Sequence, residues 1–225
     1  MAGLRADARR NRDHILNAAR DAFINLGVET PLDEIARRAG VATATLRRRF
    51  ADRHVLERAV ALDLWARLIE EIERAGDEEP DAFGVLVRYL RRGLELRAGS
   101  LFPAIVADLD GEDDAARARD EAAGTLRTIV AGAHEEGTLR SDVDDGDVGL
   151  ILVRLGRPLA HLPRAVDEAI ARRQLDVLID GLRARPSARV DRLPGPRLSF
   201  RELRSRCIQH RPEETVPATR LMPWA

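Results

Sequence analysis

Thr43-Ala44-Thr45, followed one residue later by Arg47-Arg48-Arg49, gathers two hydroxyls, one small gap and three guanidiniums within seven residues. Those groups suit nucleic acid. A guanidinium donates in a fork to guanine or to a phosphate, and a threonine offers a base edge both a methyl and a hydroxyl. If the segment is helical with Leu46 inward, Ala42 and Phe50 fall within about 40° of Leu46, at about 100° per residue. Ala44 and Arg48 then point almost directly away, Thr45 and Arg47 flank them, and Thr43 lies near the N-terminal end. Ala44 is small enough to let a helix sit deep in a major groove. The three arginines span about 200° of helix, so at least one must serve a phosphate or a carboxylate instead of a base.

The remaining reactive residues do not assemble into a catalytic or metal site. His134-Glu135-Glu136 lacks the second histidine of a zinc-hydrolase helix. Cys207, with Ser199, Ser205 and His210 nearby, lies in a proline-rich stretch that preorganises no nucleophile. Asp142, Asp144, Asp145 and Asp147 alternate as in a calcium loop, but the glutamate such a loop needs at its twelfth position is missing. A solvated turn between helices is expected there. No enzyme activity, metal or cofactor is implied.

To present its outward face, the arginine helix must be clamped against a second helix. Ile15, Ala19, Ala22 and Leu26 step by four, three and four, with Phe23 alongside, and Gly27 ends that helix. Thr30 is placed to cap the next helix, about 31–38, with Pro31 in its first position, and counts among the DNA-facing candidates. A helix-turn-helix needs a small residue at the crossing, a glycine in the turn and an apolar clamp. Ala36 and Gly40, four residues apart, meet the first two needs, and Ile35, Val41 and Leu46 make the clamp. The arginine helix follows at about 42–49. Asp52 can cap a longer one at about 53–75.

Segment 12–60 resembles the DNA-binding head of the tetracycline-repressor (TetR) family of bacterial regulators. The matching landmarks are Ile15, Ala18-Ala19, Phe23 and Gly27, then Asp33-Glu34-Ile35-Ala36, Ala39-Gly40-Val41, Thr45-Leu46 and Phe50. The resemblance implies a three-helix head, with Thr43, Ala44, Thr45, Arg47 and Arg48 toward DNA. Arg49 and Arg53 would stand where the family commonly contacts phosphates. The sequence departs from the family's usual serine, glycine, tyrosine and histidine at Ala42, Ala44, Arg47 and Arg49. Loss of the serine weakens the N-cap of the recognition helix, and the operator preference is not carried over.

Beyond the polar break Gly76–Pro80, helical segments are expected at about 80–97, 101–109, 113–136, 145–160 and 163–184. The resemblance makes this stretch a ligand-binding and dimerisation domain. Trp65, Phe83, Tyr89, Phe102 and Ile105 could line one cavity or form plain core, and His134 could meet an acidic ligand. Leu152, Leu155 and Leu159 make one stripe, and Leu175, Leu178 and Leu182 another. Paired across a two-fold axis, the last two helices would build a four-helix dimer interface.

The charge distribution agrees with DNA meeting one end only. Every basic residue is arginine; residues 1–60 carry a net +4, residues 61–184 a net −10 and residues 185–225 a net +5. The expected organisation is all-α: a helix-turn-helix head at 1–52, a helical body at 53–184 linked by the helix at 53–75, and a Pro/Arg-rich tail at 185–225. No apolar run is long enough to span a bilayer, so the expected location is cytoplasmic. The expected partners are an operator duplex, a small-molecule effector and a second copy of the chain, with no membrane. A regulator released from a palindromic operator by its ligand is the reading that accounts for the head. The alternative, a small-molecule-binding helical protein or enzyme without sequence-specific DNA binding, leaves the turn and the basic head unexplained.

Overall fold

The computed structural model describes residues 2–105, 113–159, 161–184, 193–199 and 201–202; the side chains of 2–9, 103–105 and 113 lie outside that description. Among the described residues the chain forms α1 (Ala2–Leu26), α2 (Leu32–Arg38), α3 (Thr43–Arg49), α4 (Arg53–Glu78), α5 (Ala82–Glu95), α6 (Ala98–Ile105), α7 (Asp113–Glu135), α8 (Asp145–Leu155) and α9 (Arg164–Leu182). The architecture is all-α, and among the described residues a single isolated bridge joins Leu139 and Arg183.

Short polar residues start several of these helices. Asp52 accepts from the Val55 amide at the head of α4, and Asp81 from the Gly84 amide at the head of α5. Asp144 and Asp147 form a reciprocal capping box on α8. The acidic turn is therefore structural rather than merely solvated, and Asp145 within it is buried. Arg140 and the Leu193 amide both donate to Asp142 and hold its carboxyl well below the usual range. Through Asp142 and the Arg197–Asp144 pair, residues 193–197 of the tail lie along the α7–α8 turn.

Three boundaries differ most from the sequence expectation, and the first is α4, which runs on to Glu78 through the start of the expected break at Gly76. α6 begins at Ala98, three residues early, after Arg97 turns the chain with φ 51°. α8 ends at Leu155 rather than 160, because Gly156-Arg157-Pro158 cannot continue a helix. The end of the expected 101–109 segment lies outside the described residues.

One continuous apolar core runs from head to body. Ile15, Leu16, Ile35, Leu46 and Phe50 fill the head, and Leu56, Leu64, Leu68, Leu86, Leu90 and Leu101 fill the body. α4 belongs to both, packing on α1 and on α5 and α7. α6 and α8 cross at very short range: a Cβ on Gly99 would fall 1.8 Å from the Leu152 carbonyl oxygen. Only glycine permits that approach.

Candidate nucleic-acid interface

The α2–α3 turn is fixed by backbone hydrogen bonds. Val41 N–H donates to the Ala36 carbonyl at 3.0 Å and Gly40 N–H to that of Arg37 at 3.2 Å, with Gly40 at φ +66°. This pair of bonds closes a helix through a left-handed residue, the conformation in which glycine costs least. Ile35, Ala36 and Leu46 are fully buried at the crossing, and Val41 packs against them. The clamp read from the sequence is the one that forms.

α3 consequently presents the expected face. Ala44, Arg47 and Arg48 are exposed, and Thr43 and Thr45 half-buried. Among the described residues no hydrogen bond or ion pair occupies Arg47 or Arg48, whereas Arg49, also exposed, is engaged. The arginines of α2 are engaged too. Arg37 and Arg38 both donate to Glu34 at 2.7 Å and hold its carboxyl down to about 2. The uncommitted positive charge of the turn therefore lies on α3. Ala42 occupies the N-cap with extended backbone and supplies no side-chain acceptor.

Thr30 is corrected, and Arg53 is already engaged. Thr30 is buried, and its hydroxyl donates back to the Gly27 carbonyl at 2.7 Å. Pro31 takes the N-cap position of α2 and no side chain caps it, so Thr30 faces the protein rather than a duplex. Arg53 donates to the carbonyls of Val28 and Glu29, fastening the start of α4 to the α1–α2 turn. That engagement gives Arg53 a structural task before any phosphate is present.

The six ligand candidates do not form one chamber. Trp65 and Phe102 stack, with centroids 5.6 Å apart and planes 15° from parallel. Phe83 is buried beneath the guanidinium of Arg183, 4.5 Å above its ring. Tyr89 is buried elsewhere on α5, and His134 Nε2 lies 3.0 Å from the Arg140 carbonyl oxygen at the α7–α8 turn. The side chain of Ile105 lies outside the described residues. These aromatics are core. A cleft of 340 Å³ opens instead between the C-terminal end of α5, α8 and α9, lined by Leu94, Arg97, Leu155, Arg164, Asp167 and Glu168 among others. Sequence reasoning missed it because its arginine–carboxylate pairs come from distant segments. Among the described residues no group of three or more His, Cys, Asp or Glu could hold a metal ion.

The leucine stripes are likewise mostly internal. Leu152, Leu175 and Leu182 are buried in the chain's own core and Leu155 packs against it, which leaves only Leu159 and Leu178 exposed. The outward stripe of α9 runs through Val166, Ile170, Val177 and Gly181, on the side opposite Leu175 and Ile179. Leu150 on α8 and Leu162 in the α8–α9 turn are also exposed. Among the described residues no helix is long and apolar enough to cross a membrane.

Comparison with known proteins matches residues 15–60 to the model for bacterial regulatory proteins of the tetR family, and residues 81–184 to that for the transcriptional regulator SbtR-like C-terminal domain. A TetR transcription regulatory protein from Mycobacterium vanbaalenii is 33% identical, the match covering 80% of this chain and 99% of that one with a TM-score of 0.54. A TetR transcriptional regulator from Streptomyces coelicolor is 30% identical, covering 79% and 99% with a TM-score of 0.56. The TetR-like regulator LfrR from Mycobacterium smegmatis, solved in complex with proflavine, shares the fold at 21% identity, covering 76% and 96% with a TM-score of 0.55. No curated protein matches.

Proposed function

The chain belongs to the TetR family of bacterial transcriptional regulators, and from that premise we propose a homodimeric repressor that releases a palindromic operator when a small molecule binds its body. The observation that carries the reading is the clamped α2–α3 turn with Arg47 and Arg48 exposed and uncommitted on α3. Thr43, Ala44 and Thr45 read bases beside them, and Arg49 serves backbone phosphates. The family is one of transcription factors rather than enzymes.

The dimer face is the outward side of α9, through Val166, Ile170 and Val177, with Leu150, Leu159 and Leu162 at its margin. Gly181, where an added Cβ would meet nothing within 4 Å, leaves room for a partner helix to approach. A two-fold axis there sets two recognition helices toward successive major grooves, ~34–36 Å apart. The proflavine complex of the fold-mate LfrR supports a small-molecule effector. Regulation follows from differential affinity: the effector must favour a head separation that fits the operator less well.

The test is genomic selection. Purified protein incubated with sheared genomic DNA should retain a fragment containing an inverted repeat, with half-sites about one helical turn apart. Retention of bulk DNA without an enriched repeat, at a salt concentration that suppresses non-specific binding, would refute operator recognition.

A further inference from the structure

Two charges interrupt the apolar stripe on the outward side of α9. Arg173 lies between Ile170 and Val177, and Asp180 lies beside Gly181; both side chains are exposed. Seven residues turn an α-helix through about 700°, so Asp180 stands within about 20° of Arg173 and about 10.5 Å further along the same face. Asp176 falls about 60° to one side, where it accepts from Arg91 of α5 at 3.2 Å.

The remaining charges of the helix are answered within the chain. Asp167 pairs with Arg97 at 2.9 Å, and Glu168 takes Arg164 at 2.7 Å and Arg172 at 3.5 Å. Arg173 is the exception, since among the described residues no hydrogen bond or ion pair engages it. Its neighbours one turn away are Ala169, Ile170, Asp176 and Val177, and the only acid of the four is held by Arg91. A guanidinium set in an apolar association surface needs a carboxylate once water leaves.

Two-fold symmetry supplies one. Val177, midway between Arg173 and Asp180, is 66% exposed, more than any other large apolar side chain among the described residues. An axis perpendicular to α9 beside Val177 runs two copies antiparallel, so that residue i meets residue j and j meets i. Val177 then packs on its own copy, Arg173 faces the partner's Asp180, and Asp180 faces the partner's Arg173. A parallel pair would set Arg173 against its like. A slip of one turn would press Arg173 onto apolar groups.

We propose that Arg173 and Asp180 set the alignment and the choice of partner in the dimer: two symmetry-related Arg173–Asp180 ion pairs flank Val177 and admit a second copy of this chain in one antiparallel register. The proposal rests on the outward side of α9 being the dimer face. Charges in this position select the partner and fix its register more than they add affinity.

The experiment is sedimentation equilibrium of the full chain without DNA. It compares wild type, Arg173→Glu, Asp180→Arg, an equimolar mixture of those two, and Arg173→Glu/Asp180→Arg in one chain. Both positions are exposed, and circular dichroism verifies that each variant is folded. Each single variant sets like charges against each other and should dimerise about ten-fold or more weakly than wild type. In the mixture both contacts join opposite charges, so the mixed pair should form about ten-fold or more tightly than either variant with itself. The double variant exchanges the two charges and should dimerise within a few-fold of wild type. Wild-type affinity in both single variants, no preference for the mixed pair, or no recovery in the double variant would each overturn the pairing. Loss of the dimer in Val166→Glu/Val177→Glu, with normal dimerisation of the charge variants, would keep the face and reject the pairing. A monomeric wild type would reject both.

Discussion

A guanidinium already bound to a carboxylate must give up that bond before it can serve a base. On the surface of the head, Arg37 and Arg38 are so bound to Glu34, and Arg47 and Arg48 are not. Arg47→Ala or Arg48→Ala should therefore weaken operator binding by about 1–3 kcal/mol where a bidentate base contact is lost, measured by band-shift titration on the selected fragment. Unchanged affinity in both variants would remove these side chains from the interface. Arg53 acts differently: its guanidinium binds the Val28 and Glu29 carbonyls. Removing it should lower the melting temperature of the head before any DNA is added. In the body, Tyr89 offers a spectroscopic check, because it is the sole tyrosine of the chain. Burial pushes its hydroxyl up to about 12, with the negative charge of Asp145 adding to the shift. The folded value lies above the unfolded value of about 10, so the contribution to stability is complete below pH ~10 and is lost as pH rises through 12. Tyrosinate absorbance in the folded protein should lag that of the urea-unfolded chain. Coincident titrations, with the helical circular dichroism intact, would show that the ring is not buried.

At the level of elements, α3 is the least secured helix of the head. It spans seven residues, and Ala42 supplies no acceptor for the free amides of its first turn. Ala42 nevertheless holds the extended backbone that an N-cap needs, at φ −66° and ψ 142°. Ala42→Ser should then stabilise the head by about 1 kcal/mol, read as a higher urea midpoint with an unchanged slope; no rise would mean the first-turn amides find other acceptors. Caps and turns of this kind were legible in the sequence because they are local. Asp52, Gly40 and the clamp of Ile35, Ala36 and Leu46 declare themselves within about ten residues. Thr30 did not, because the choice between capping α2 and bonding back to Gly27 depends on how the two helices approach. Trp65, Phe83 and Tyr89 misled as ligand groups for a similar reason: apolar periodicity marks a buried face without saying whether that face is filled. Leu175 and Leu182 turned inward because α9 needs its strongest apolar side to hold it to the body. The weaker stripe, Val166 to Val177, is what remains outside.

For the whole molecule, that division gives the dimer two separable failure modes. Val166→Glu/Val177→Glu places charges on an exposed surface and should yield a folded monomer, seen as half the mass in light scattering with unchanged helical content. Leu182→Glu places a charge in the chain's own core and should unfold it. A Val166→Glu/Val177→Glu protein that stays dimeric would move the interface elsewhere. The long connection between body and head has a geometric consequence of its own. α4 is an unbroken rod of 26 residues, roughly 39 Å long at about 1.5 Å per residue. It packs along its length against α5 and α7, with Arg58 near its start bound to Asp114 of α7, and also against α1 of the recognition unit. A tilt of about 5° about its C-terminal end swings its N-terminal end by ~3 Å over a rod of this length. In a two-fold pair the displacements add, so the heads part by up to about 7 Å, a fifth of the ~34–36 Å between successive grooves. Leverage of that kind makes an angular change too small to disturb the core large enough to put one of the two recognition helices out of register with its groove.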